Sequence, residues 1–245
     1  MPRHENEKSK VIKEFSRFAH NYDSYNVIQS AVAKELVDSL VLKKITTILD
    51  IGCGSGTVYK YILDKQISFE QFIALDSSKE MLALHPSSAL IDKHHDDFNE
   101  VVAYANLKSS VNETLLVSSS ALQWSKDLDF AFKHLSTKAS KAYFSIFTSN
   151  TFKTLHKTAN VNSPIYTAAS LKESIEEYYS ANFMLKEYRL EFENAREMFN
   201  YIKKSGVSGG EKRLSYKQTK QLMKNYPLNY LEFEVLFVEA TSLST

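Results

Sequence analysis

The chain has 245 residues, 43% hydrophobic and 24% charged, with a formal net charge of +1. That is enough apolar material for the core of one large α/β domain, and the balanced charge singles out neither acidic nor basic partners. Its one cysteine, Cys53, excludes an internal disulfide, the polar Met1–Lys10 segment has no apolar signal-peptide core, and no apolar run nears the ~20 residues of a membrane span, so the expectation is a soluble cytoplasmic protein.

In chain order, Val11, Phe15, Phe18, Ala19 and Tyr22 recur at helical spacing, as do Ile28, Val32, Leu36 and Leu40, which predicts two N-terminal helices broken near Asp23–Asn26. Thr46–Ile51 reads as a buried strand, followed by a helix over Thr57–Asp64. Gln71–Asp76 is a second strand ending on a carboxylate, and Ser77 and Ser78 suit the cap of a helix through Glu80, Met81 and Leu82. A short third strand is expected at Ala89–Ile91, with His94, His95, Asp96 and Asp97 in the loop after it. Glu113–Ser118 and Lys141–Phe147 read as the fourth and fifth strands. The remainder predicts a helix around Ala168–Tyr179, a strand over Met184–Phe192, a helix at Ala195–Lys204 and a last strand at Tyr230–Ala240. Strands alternating with helices imply right-handed crossovers and a mostly parallel sheet with helices on both faces.

Six glycines fall in two clusters, Gly52, Gly54 and Gly56, then Gly206, Gly209 and Gly210. A chain this poor in glycine places it where backbone freedom or close approach is needed. Leu49–Gly56 runs a strand into a glycine-rich turn that opens a helix, an arrangement that lets backbone approach a ligand. The glycines sit at every second residue, and Thr57 occupies the place of the third glycine of the dinucleotide fingerprint. No Gly-Lys-Ser/Thr ending follows, which excludes a P-loop. Asp76, about 20 residues on, can accept hydrogen bonds from ribose hydroxyls. Adjacent His94 and His95 point apart and lack partners at ligand spacing, so no metal is expected.

The glycine turn resembles the cofactor site of class I S-adenosylmethionine-dependent methyltransferases. Three further segments, Phe15–Gln29, Ser118–Trp124 and Asn225–Tyr230, are similar to the malonyl-acyl-carrier-protein O-methyltransferase family of biotin synthesis, and the resemblance spans nearly the whole chain. It implies a Rossmann-like fold with a mostly parallel seven-stranded sheet in a single domain. Residues 1–43 would be an N-terminal helical lid, 44–150 the cofactor-binding half and 151–245 the substrate-side half. It implies that S-adenosyl-L-methionine is held by Gln29, Asp50, Gly52, Cys53, Gly54, Asp76, Ser77, Met81 and Ser119, with Asp97 and Phe98 reading the adenine. Tyr22 in the lid, Gln123 and Trp124 at the substrate mouth, His156, and Arg196 would serve the substrate. The family's pattern has an arginine at the position of Asn200; Arg196, one turn earlier on the same helical face, is the available bidentate partner for a carboxylate. The implied reaction is methylation of the free carboxylate of a malonyl thioester.

Lys203 to Lys224 carries seven cations (with Lys204, Lys212, Arg213, Lys217 and Lys220) against Glu211. Such a patch would steer an acidic acyl carrier protein. A nucleic-acid partner is not expected, because aromatic and basic residues are not interleaved there. No membrane partner is expected either.

Overall fold

The computed structural model describes residues 26–41, 44–204 and 216–243. The first predicted N-terminal helix, Tyr22 and the second glycine cluster lie outside these.

α1 spans Val27–Ser39 and enters the core through Val32, Leu36 and Val37. β1 (Lys44–Ile51) leads into α2 (Thr57–Asp64), β2 (Ser68–Asp76) and α3 (Lys79–Leu84). β3 (Ile91–His95), α4 (Val101–Asn106) and β4 (Thr114–Ser119) follow, then a 3₁₀ turn at Leu122–Trp124 and α5 (Leu128–Ser136). β5 (Lys141–Phe147), α6 (Lys153–Ala159), α7 (Ala168–Glu176), β6 (Tyr179–Glu191), α8 (Ala195–Lys204), α9 (Tyr216–Asn225) and β7 (Tyr230–Ser242) complete the described chain.

The seven strands form one sheet in the order β3-β2-β1-β4-β5-β7-β6. β7 runs antiparallel to both β5 and β6, and the pairs among β1 to β5 are parallel. The sheet order reverses between β1 and β4, so the strands' carboxyl ends open a crevice there, where ligands of open α/β sheets bind. Strand alternation divides the apolar residues between two faces. Ile48, Phe72, Ala74, Leu115 and Val117 join α1 and α2 on one face. Leu49, Ile51, Ile73, Leu75 and Leu116 join α5 and α7 on the other.

Two lysines close helix ends, where the last carbonyls lack partners within the helix. Lys65 Nζ donates to Val37 O, Asp38 O and Leu40 O at 2.9, 2.7 and 2.6 Å, closing α1. Lys93 Nζ donates to Leu82 O at 2.9 Å and His85 O at 2.6 Å, closing α3. α1 is further fastened by Ser30 Oγ and Tyr61 OH, 2.7 Å apart, and by Glu35 Oε2, which accepts from Lys186 Nζ at 2.5 Å and Tyr188 OH at 2.6 Å on β6.

Several boundaries differ from the sequence expectation. The third strand starts at Ile91 and contains His94 and His95, which were expected in the loop after it. β3 is an edge strand whose residues are half or fully exposed, so it carries no apolar run to announce it. β6 begins at Tyr179, five residues before the expected start, and α7 ends at Glu176 accordingly. Its exposed edge tolerates Ser180 and Asn182, residues that sequence pattern assigns to turns. α4, α5 and α6, of six, nine and seven residues, had no expectation of their own and are too short to show a sustained period.

Candidate active site

The turn after β1 is built from backbone that only glycine adopts easily. Gly52, Gly54 and Gly56 have φ of 72°, 54° and 87°. A Cβ on Gly52 would lie 2.3 Å from Ala121 Cβ, and one on Gly56 would lie 2.7 Å from Pro86 Cδ. Gly52 N and Cys53 N donate to Leu75 O at 2.8 and 3.0 Å, fastening the turn to β2. Asp76 closes it: Oδ2 accepts from Gly54 N at 2.9 Å and Oδ1 from Ser78 N at 2.8 Å. Asp76 was expected to meet ribose hydroxyls; it also holds the glycine turn in shape. Each of its oxygens keeps a second lone pair for a ligand. Burial pushes its pKa up, and the two backbone N–H groups oppose that rise.

Gly52, Cys53, Gly54 and Ser55 line a cleft with Thr57 and Val58 of α2, Gln29 and Ala33 of α1, and Ser119 and Ser120 after β4. Beneath the turn lies Asp50, 0% exposed, with neither carboxylate oxygen partnered among the described residues. Burial, aided by the charge of Asp76, raises its pKa to about 8. A buried carboxylate without partners costs several kcal/mol unless a ligand supplies a cation or donors. Gln29 Oε1 and the Ser55 hydroxyl are likewise buried without partners among the described residues. These groups fit an ammonium-bearing ligand seated on the glycine turn.

The far end of the crevice follows β2 and β3. Asp76 pairs in register with His95, whose Nε2 lies 3.1 Å from Ser77 O. Two residues on, Asp97 Oδ1 accepts from Asn99 N and Asn99 Nδ2, both at 2.9 Å, which shapes the loop. Phe98 is buried, and Tyr104 OH donates to its carbonyl at 2.5 Å. Met81 is buried on α3, 3.6 Å from where a Cβ on Gly54 would stand. Ser78, rather than Ser77, caps α3, its hydroxyl accepting from Met81 N at 3.2 Å. A bare buried carboxylate under the glycine turn and a second carboxylate at the end of β2 are the features that the sequence reading expected to hold S-adenosylmethionine.

After β4, Ser145 Oγ donates to Ser119 Oγ at 3.0 Å and Ser120 N donates to Ser145 O at 2.8 Å. Ser120 takes φ of 59°, a left-handed conformation unusual for a side-chain-bearing residue. Gln123 Nε2 donates to Ser120 O at 2.7 Å, while its Oε1 has no partner among the described residues. Trp124 Nε1 and Ser125 Oγ are also buried and have no partner among the described residues. Ser120, Ser125 and Ser55 were not singled out from sequence. Ser118, Ser119 and Ser120 are consecutive and chemically equivalent, so only the backbone reveals which hydroxyl faces the cleft.

None of the described substrate candidates, Gln123, Trp124, His156 and Arg196, is among the residues that line the cleft. His156 sits on α6, burial pushing its pKa down, and is not among the cleft-lining residues. Arg196 is exposed on α8 and does not line the cleft.

No protein-family model matches the chain. Curated relatives named malonyl-[acyl-carrier protein] O-methyltransferase do. That of Acetivibrio thermocellus is 33% identical over 153 residues, 58% of this chain and 50% of the relative. That of Chlorobium phaeovibrioides is 25% identical over 244 residues, 90% of this chain and 88% of the relative. The chain thus spans half the length of the first relative and most of the second. Among solved structures, the YcgJ protein from Bacillus subtilis superposes with a TM-score of 0.63 at 10% identity, covering 86% of this chain and 98% of that one. A putative methyltransferase from Bacillus halodurans gives 0.60 at 9% identity, covering 86% and 98%. The chain therefore has the class I methyltransferase fold, and in sequence it is a relative of the malonyl-[acyl-carrier protein] O-methyltransferases.

Proposed function

We propose that this chain transfers a methyl group from S-adenosyl-L-methionine to the free carboxylate of a malonyl thioester on acyl carrier protein, giving the methyl ester that enters biotin synthesis. The observation that carries the cofactor half is Asp50, a fully buried carboxylate with two bare oxygens directly beneath a strained glycine turn. The substrate half rests on the relatives' names and on the segments they share with this chain.

When bound, S-adenosylmethionine supplies a methyl group on a positively charged sulfur. Asp50, Gln29, Ser119, Cys53 and Gly54 would hold its methionine part, Asp76, Ser77 and Met81 its ribose, and Asp97 and Phe98 its adenine. A malonyl carboxylate is ionised at neutral pH, with a pKa near ~4, so no general base is needed. The described lining of the cleft is glycines, serines, Gln29, Thr57, Cys53, Ala33 and Val58, with no histidine among them. They align the reactants and exclude water, and a dry site favours a step in which opposite charges cancel. Gln123 and Trp124 belong to the substrate side in this reading; Tyr22 and most of the expected N-terminal lid lie outside the described residues.

The carrier protein docks on the basic segment Lys203–Lys224, of which Lys220 and Lys224 are exposed on α9. No helix among the described residues is long and apolar enough to cross a membrane.

The test is transfer of radiolabelled methyl from S-adenosylmethionine to malonyl-acyl carrier protein, with succinyl and acetyl thioesters as controls. Selective labelling of the malonyl form, released by mild base, is expected. No labelling of the malonyl form while the cofactor binds would overturn the substrate assignment.

A further inference from the structure

The reading above leaves open what holds the carboxylate that accepts the methyl group. An arginine is the expected answer from sequence, but Arg196 is exposed, and no lysine or arginine is among the cleft-lining residues described. The loop after β4 offers something else. Within six residues it presents three hydrogen-bond donors that are buried and lack partners among the described residues: Ser120 Oγ, Trp124 Nε1 and Ser125 Oγ. An indole nitrogen is a donor only, and hydroxyls donate readily to an anion. Burying such a donor unpaired is costly, so three together mark a ligand site.

The loop is held for that task. Trp124 N donates to Ala121 O at 3.0 Å and Ser125 N to Leu122 O at 3.0 Å, which closes the 3₁₀ turn. Tyr166 OH donates to Ser125 O at 3.0 Å and Lys126 O at 3.2 Å, tying the turn to the segment between α6 and α7. Ser125 is 6% exposed, and Ala121 lies against Gly52, so the turn abuts the cofactor cleft.

We propose that Trp124 Nε1, with the Ser120 and Ser125 hydroxyls, holds the acceptor carboxylate through neutral hydrogen bonds, in place of a cationic clamp. The proposal rests on the carboxyl-methylation reading and deepens it. Neutral donors orient one carboxylate oxygen and leave the charge of the other uncompensated. That second oxygen attacks: an O–CH₃ bond forms, the C–S bond breaks and its electron pair remains on sulfur, and no proton is released. A guanidinium paired to the same carboxylate would stabilise the negative charge before attack and slow the step. A neutral clamp therefore suits a nucleophile whose only asset is its charge.

The experiment compares the full-length protein with Trp124→Phe, Ser120→Ala, Ser125→Ala and Arg196→Ala. It measures kcat and KM for malonyl-acyl carrier protein, cofactor affinity by calorimetry, and binding of the malonyl form against its methyl ester. Trp124→Phe keeps the ring and loses only the N–H. It is expected to raise KM at least about tenfold, the worth of a hydrogen bond to a charged group. Its preference for the free acid over the ester should shrink by a similar factor while cofactor affinity holds. A merely structural role for the ring would leave that preference intact. Unchanged KM and preference in Trp124→Phe and in both serine variants would overturn the clamp, as would loss of the preference in Arg196→Ala alone. Absence of malonyl methylation by the unaltered protein would instead remove the reading on which it rests.

Discussion

At the residue scale, Asp50 ties the proposed cofactor site to the stability of the fold. Its pKa of about 8 in the folded protein stands well above that of an unfolded aspartate. Between ~4 and about 8 the folded state therefore holds a proton that the unfolded state has lost. The corresponding stability is fully present below ~4 and disappears as pH rises through about 8. The ligand-free protein should melt at lower temperature at pH 9 than at pH 6, and Asp50→Asn should flatten that dependence, as scanning calorimetry would show. Cofactor affinity should run the other way, increasing as Asp50 ionises. Asp76→Ala removes both the ribose acceptor and the partner of Gly54 N, and should weaken cofactor binding by roughly 1–3 kcal/mol; unchanged affinity would deny Asp76 that role. Asp50 and Asp76 stand out in the sequence because Asp50 leads into the glycine turn and Asp76 closes the next strand. Ser120 does not, since its left-handed φ of 59° has no signature in a run of three serines.

Among the elements, α1 shows how a helix can be read correctly and still be misjudged in setting. Ile28, Val32, Leu36 and Leu40 announce its buried face in the sequence. Nothing in that pattern shows that Lys65, from the end of α2, closes its final turn, or that Glu35 reaches β6. Long-range polar contacts leave no periodic trace. Lys65→Met keeps the aliphatic stem and removes the charge that caps three carbonyls. It should cost about 1 kcal/mol and lower Tm by about 2–4 °C, with cofactor affinity nearly unchanged, since Gln29 lies two turns and more from the cap. A Tm equal to that of the unaltered protein would mean that water serves those carbonyls as well. The edge strands β3 and β6 were the least legible elements, because exposed positions lift the requirement for alternating apolar residues.

For the whole molecule, the alternation of strands and helices and the first glycine cluster were sufficient for the architecture, and the sheet confirms a mostly parallel core with one antiparallel strand near its edge. What sequence could not supply was which distant segments meet at the crevice. Arg196 was the carboxylate partner that the sequence offered, and the fold leaves it exposed on α8, outside the cleft lining. Docking of a carrier protein is also a property at this scale. Charge reversal at Lys217, Lys220 and Lys224 should slow methylation of malonyl-acyl carrier protein far more than that of malonyl-coenzyme A, and more so at low salt. Equal slowing of both in steady-state kinetics would make the lysines ordinary surface.

The 2.3 Å that would separate a Cβ on Gly52 from Ala121 Cβ has a wider consequence. The two turns that carry cofactor and acceptor chemistry are stacked with no spare atom between them. Redesigning the loop at 119–125 for a bulkier acid would therefore transmit every added methyl group to the floor under the cofactor. New acceptor range in this scaffold should need a matching adjustment of the glycine turn.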